Sequence, residues 1–160
     1  LNAQLDRLPA LIETLRRNKR YILEQTSDTG LTPAPRHAPE GECAIALMYS
    51  LPSAAAAQTF AERVGGTVLR NTGRHNYTEW DPILHKQGAH HPVLDPFNLP
   101  QNESCRKEYS EDMCERSLDI LGKTVSIGLK PDHKQADMDE LIQKIRTAAT
   151  PSSVAGNGAP

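Results

Sequence analysis

No apolar run in the 160 residues approaches the length of a bilayer span, and no charged-then-apolar leader opens the chain. The expectation is a soluble, cytoplasmic protein with no membrane partner. Charge of one sign is also missing: 18 Lys and Arg stand against 20 Asp and Glu, a formal net charge of −2. Without a global basic field there is nothing to hold a nucleic acid backbone, so nucleic acid is not the expected partner. Cysteine is scarce, with Cys43, Cys105 and Cys114 in no CxxC arrangement, and an odd count without a secretory leader predicts reduced thiols. Cys43, inside an apolar run, reads as a core residue. No internal repeat is visible. Gly65-Gly66 lacks the strand, glycine spacing and helix order of a dinucleotide site. An initiator methionine is lacking too, and the chain opens inside a helical pattern, from which we expect it to be cut from something longer.

What is present suffices for one domain, expected over residues 1–149, followed by a Pro, Ser, Gly and Asn tail at 150–160 that reads as disordered. Leu1, Leu5, Leu8, Ile12, Leu15 and Ile22 alternate spacings of four and three, with one gap at Lys19, which predicts a long helix with an apolar stripe. Pro9 either kinks that helix or restarts it with Asp6 as cap; a bent but continuous helix is the expectation. Gly30 to Gly41, with Pro33, Pro35 and Pro39, reads as a linker. Cys43 to Tyr49 is apolar almost throughout and predicts a central strand, covered on both faces or deep within a sheet. Ser53 caps a helix running to Val64, Gly65-Gly66 stops it, and Thr67 to Leu69 is a short strand. A second helix is expected over Asp112 to Leu121, ended by Gly122. Val125, Ile127 and Leu129 then alternate with Thr124, Ser126 and Gly128 as a one-faced strand beside the central one. A last helix is read with Asp137 as cap, Glu140 as its reciprocal partner, and Met138, Leu141, Ile142, Ile145 and Ala149 as its buried stripe. The sum is an α+β fold: a small, mostly antiparallel sheet with helices on one face, led by a long N-terminal helix.

Candidate chemistry concentrates in Gly73 to Pro92, GRHNYTEWDPILHKQGAHHP, which holds four of the six histidines and the only tryptophan. A ligand-contacting loop and a solvated surface loop are both compatible with that composition. His85, His90 and His91 with Cys105 or Cys114 offer nitrogen and sulfur ligands to zinc, yet no His-x-x-x-His or CxxC pairing is present. Ser104-Cys105 and Ser126 lack the glycine context of a nucleophile elbow. Glu79 with Asp81, and Glu111 with Asp112, are carboxylate pairs that serve general acid-base work or simply solvate a loop. Trp80 stacks on a ligand or fills a pocket, and Arg74 beside His75 suits an anion.

The opening LNAQLDRLPALIETLRRNKRYIL resembles the long helix that leads into the small C-terminal domain of the DegT/StrS family of sugar aminotransferases, PLP enzymes of fold type I. GRHNYTEWDPILHKQGAHHPVLDPFNLP and DMCERSLDILGKTVSIGLKPDHKQADMDELIQKI are similar to the rest of that domain, in particular to a branch linked to amination of keto sugars such as octulosonates. The resemblance spans roughly Leu1 to Ala149. It implies a parent transaminase moving an amino group from a donor such as glutamate to a keto sugar, and a homodimer. It also implies that the Schiff-base lysine and most pyridoxal 5'-phosphate contacts lie in a large domain preceding Leu1, so this fragment alone is expected to be inactive. By the same resemblance Tyr77 and His85, with Arg74, His75 and Trp80 beside them, bind substrate. The alternative is a stand-alone small-ligand or metal-binding module without catalysis.

Overall fold

A computed structural model describes residues 2–73, 76–105 and 108–150. Near the start the chain breaks where a bend was expected. α1 (Asn2–Leu5) ends at a turn over Asp6 and Arg7, and α2 (Leu8–Gln25) begins afresh with Pro9 in its first turn. There the missing proline N–H is no loss, because the first amides of a helix lack intrahelical acceptors anyway. Asp6 is not the cap; Arg7 occupies that position in helical conformation, with no side-chain capping bond.

The apolar stripe of α2 divides. Along the expected stripe Leu15 and Ile22 are buried and Ile12 is half-buried, whereas Leu8 and, in α1, Leu5 remain exposed. The gap in the pattern at Lys19 is filled by the lysine itself: Lys19 is buried with its Nζ 2.8 Å from Glu42 Oε2. At the C-terminal end Thr26 Oγ1 donates to the Ile22 carbonyl at 2.8 Å and lies 3.2 Å from Tyr49 Oη, tying the helix to the sheet.

The proline-rich stretch after Gly30 is more than a linker. β1 (Thr32–Pro33) pairs antiparallel with Ser50 and Tyr49, and the Ala34 amide donates to the Met48 carbonyl at 2.9 Å. Proline is tolerated there because β1 is an edge strand, whose outer side needs no donor. β2 (Ala46–Ser50) is shorter than expected and is covered on one face only. Leu47 and Tyr49 are buried, Met48 and Ile45 are exposed, and Ala44 at φ +57° turns the chain just before the strand. The expectation that Cys43 belongs to the core fails for the same reason: it precedes that turn and is exposed.

α3 (Ala54–Val64) follows its sequence signals. Ser53 Oγ accepts the Ala56 amide at 3.1 Å, and Gly65 closes the helix in the left-handed region. Ala57 and Ala61 bring the helix close to the sheet, and Phe60 meets Tyr49 edge-on at 5.9 Å. β3 (Thr67–Val68) is one residue shorter than expected.

After the excursion discussed below, and past a four-residue α4 (Asp81–Leu84), α5 (Glu115–Lys123) starts three residues late. It carries Gly122 inside it and runs directly into β4 (Thr124–Gly128). β4 joins β2 and β3, both antiparallel, with Leu47 opposite Ile127 and Val68 opposite Val125, giving the order β1-β2-β4-β3. α6 (Gln135–Ala149) begins a residue or two before the expected cap. Asp137 sits three residues beyond the cap Lys134, and its Oδ2 accepts the Lys134 amide at 2.8 Å. Met138, Ile142 and Ile145 are buried, with Leu141 and Ala149 half-buried.

Side chains from α2, α3, α6, β2, β3 and β4 form one hydrophobic cluster. The architecture is therefore α+β, a small antiparallel sheet with helices packed on one face, led by a long N-terminal helix. Arg146 of α6 clasps the end of α2, its Nη1 donating to the Gln25 carbonyl while the guanidinium forks onto Asp28, just past the helix, at 2.8 and 2.7 Å. Residues 151–160 of the expected tail lie outside the described residues.

Candidate functional site

The focal loop is anchored by a residue that the sequence did not single out. Asn76 is 2 % exposed; its Nδ2 donates to the Arg70 carbonyl at 3.2 Å, its Oδ1 accepts the Thr78 amide, and its own amide donates to the Gly73 carbonyl at 2.8 Å. A buried side-chain amide bound on both its carbonyl and amine ends fixes how the chain leaves the body of the domain. An asparagine after a glycine-bearing turn is its only sequence trace, a common pattern that marks turns of many kinds.

Tyr77 follows at once and is half-buried. Its hydroxyl donates to the Glu111 carbonyl at 2.6 Å and accepts the Cys114 amide at 3.2 Å. Trp80 is 47 % exposed and lines a shallow cleft of about 350 Å³ with Glu79, Asp81, Pro82 and Ile83. His85 stands exposed at the C-terminal end of α4, its amide donating to the Asp81 carbonyl at 2.9 Å. Neither Tyr77 nor His85 lines the Trp80 cleft. Arg74 and His75 lie outside the described residues. His90 and His91 are exposed, and His91 Nδ1 accepts the Val93 amide at 3.3 Å.

Across the loop, Lys86 pairs with Glu108 at 2.8 Å and holds that carboxyl below its usual range, chiefly through the hydrogen bond. Glu111 and Asp112 border a separate open cleft of about 500 Å³ with Arg70, Glu115, Leu118 and Asp119. Among the described residues no three His, Cys, Asp or Glu side chains come together as a metal would require.

A second concavity, of about 380 Å³, lies between α2 and the segment that follows β1, walled by Leu23, Pro33, Ala38, Ile45 and Met48 and bordered by Lys19 and Glu42. The break in the helical stripe at Lys19 was its one sequence trace.

The described lysines do not fit the role of an imine-forming amine, which needs an apolar setting free of a carboxylate partner. Lys19, Lys86, Lys123 and Lys144 are each ion-paired, and Lys130 and Lys134 are exposed. No family model matches the chain, and no curated protein matches it.

Proposed function

We propose that the chain is the C-terminal small domain of a PLP-dependent sugar aminotransferase of the DegT/StrS kind, a cytoplasmic homodimer that aminates a keto sugar with glutamate as donor. The observation that carries this reading is the divided stripe of the first helices. Leu15 and Ile22 belong to the domain's own core, while Leu8 and Leu11 continue that face of α2 into solvent and Leu5 of α1 is exposed ahead of them. An apolar helix face that runs beyond its own core suits a domain resting against a larger neighbour. The sheet agrees with this, being covered on one face and presenting Met48 on the other.

In this reading the cofactor and its lysine belong to the preceding large domain. This chain's Trp80 and His85, with Arg74 and His75, orient sugar hydroxyls or an acidic group. Tyr77 holds the loop that carries them. No proton transfer is assigned to the chain.

The test is made on the complete reading frame. Amino transfer from glutamate to a panel of keto sugars is expected, with Trp80→Ala and His85→Ala raising KM for the sugar while the cofactor's absorbance is retained. A frame that encodes no large domain with a lysine following a strand overturns the proposal and leaves a stand-alone binding module. Loss of cofactor in the His85 variant overturns the role given to the loop.

A further inference from the structure

We propose that the groove between α2 and the segment after β1 binds a small amphiphilic monocarboxylate, its carboxylate held by Arg16 and Arg20 and its apolar tail laid on Ile45 and Met48. The groove shares no residue with the Trp80 cleft, and its chemistry is independent of the aminotransferase reading.

Two clefts make the groove. The first, of about 380 Å³, is apolar along Pro33, Pro35, Ile45 and Met48. The second, of about 350 Å³, is lined by Arg16, Arg20, Glu24 and Glu40. Both are bordered by Lys19, Leu23, Arg36 and Glu42, so a single ligand can reach from one into the other. Their size suits a small molecule, whose sites run about 300–1,000 Å³. Ile45 and Met48 are left exposed by the domain's own core. An apolar tail laid over them removes from water a surface that folding does not.

The second cleft supplies the charge. Arg16, Lys19, Arg20 and Leu23 recur at the three- and four-residue spacing of one face of α2, and Arg36 joins them from the segment after β1. Lys19 and Arg36 are already engaged, each taking one oxygen of Glu42, at 2.8 and 3.2 Å. Arg16 is steered by its Nε, which donates to the Glu42 backbone carbonyl at 2.8 Å. Among the described residues neither Arg16 nor the exposed Arg20 has an ion pair. Two guanidinium groups one helical turn apart repel each other, and an oxyanion shared between their forks turns that repulsion into attraction. The charge at the cleft sets the kind of anion. Four cations stand against Glu24, Glu40 and Glu42, leaving one positive charge, which a carboxylate balances and a phosphate dianion overshoots.

Calorimetric titration of the chain with octanoate is the test. Saturable binding of one octanoate per chain is expected, at least about tenfold tighter than acetate, which lacks the tail, or 1-octanol, which lacks the charge. Arg20→Gln, at an exposed residue without an ion pair, is expected to keep the fold and weaken octanoate about tenfold. Met48→Ser, in the other cleft, is expected to weaken octanoate and leave acetate as it is. Arg17→Gln removes the same charge from an exposed position outside both clefts and is expected to match the parent. Absence of saturable binding overturns the proposal, as does an unaltered octanoate affinity in Arg20→Gln or in Met48→Ser. Equal losses in Arg17→Gln and Arg20→Gln overturn it too, since general charge then accounts for the binding. Tighter binding of octyl phosphate overturns the choice of a carboxylate, and tighter binding of a glutamate-rich peptide makes the groove a protein-docking surface instead.

Discussion

Lys19 Nζ and Glu42 Oε2 lie 2.8 Å apart, the lysine side chain 9 % exposed and the carboxylate 25 % exposed. Arg36 reaches the other carboxylate oxygen at 3.2 Å, and Arg16 Nε donates to the Glu42 backbone carbonyl at 2.8 Å. One residue thus staples the segment after β1 across α2. Removing a single partner leaves a buried ammonium uncompensated, so Glu42→Gln is expected to cost about 3 kcal/mol in urea unfolding. Pairing that change with Lys19→Met should recover most of the loss. If the double variant is no more stable than Glu42→Gln, the staple is not what holds the segment.

The same carboxylate sets an acid limit. Burial pushes the Glu42 carboxyl up, but the hydrogen bonds and charges of Lys19 and Arg36 together outweigh it and hold it below its ordinary value of 4.5. A carboxyl with a lowered folded pKa stabilises fully above the unfolded value and loses that contribution as pH falls through the folded one. Stability measured against pH should therefore fall below about 4.5 more steeply in the parent than in Glu42→Gln. Parallel curves would remove Glu42 from the acid transition.

The stripe of α2 makes opposite predictions along its length. Leu15→Ala empties a core position and is expected to cost about 3 kcal/mol, while Leu8→Ala, at an exposed site, should stay within about 0.5 kcal/mol. Equal losses in urea unfolding would mean that Leu8 is covered within the isolated chain.

Asn76→Ala is expected to cost about 2 kcal/mol, since it strips the Arg70 carbonyl of its donor in a buried setting. Thermal unfolding measures the loss, and an unchanged Tm would show that the Arg70 carbonyl finds another donor.

Gly65 and Gly66 stop one helix together for different reasons. Gly65 lies at φ +69° with open space about it, whereas a Cβ at Gly66 would come within 2.9 Å of Val125 Cγ1 and 3.0 Å of the Ser126 carbonyl. Gly65→Ala should cost about 1 kcal/mol through backbone strain. Gly66→Ala is expected to cost about 2 kcal/mol by pushing β4 away. Urea unfolding of the two variants measures both, and an undisturbed Gly66→Ala would show that β4 yields freely.

What the sequence disclosed was local. Ser53 and Gly65 bracket α3 because a cap and a left-handed stop need only their own neighbours, and Val125 and Ile127 announce a one-faced strand by alternation alone. What stayed hidden depended on distant partners. The run from Cys43 to Tyr49 looked doubly covered, yet no alanine advertises the positive φ of Ala44 that turns the chain and leaves Cys43 and Ile45 outside. Two residues of β1, one of them proline, gave no strand signal and become an edge only because β2 is there to pair with. In α6, Asp137 followed by Glu140 reads as a capping pair, yet the same aspartate closes onto Lys134 one turn earlier. In the candidate site the histidines and the tryptophan were conspicuous by type. The partners of Tyr77 are backbone groups 34 and 37 residues away, which no side-chain pattern can announce.

The order β1-β2-β4-β3 also sets the pace at which this chain can fold. Its inner pair brings together Leu47 and Ile127, eighty residues apart, so the sheet gains its central ladder only after a long stretch of chain has paid its closure entropy. α3 and the caps around it form from neighbours and have no such wait. Refolding should accordingly run on the order of milliseconds to seconds, gated by one non-local encounter. Because closure entropy grows only slowly with length, the excursion between the inner strands sets that gate without weakening the sheet once it has shut.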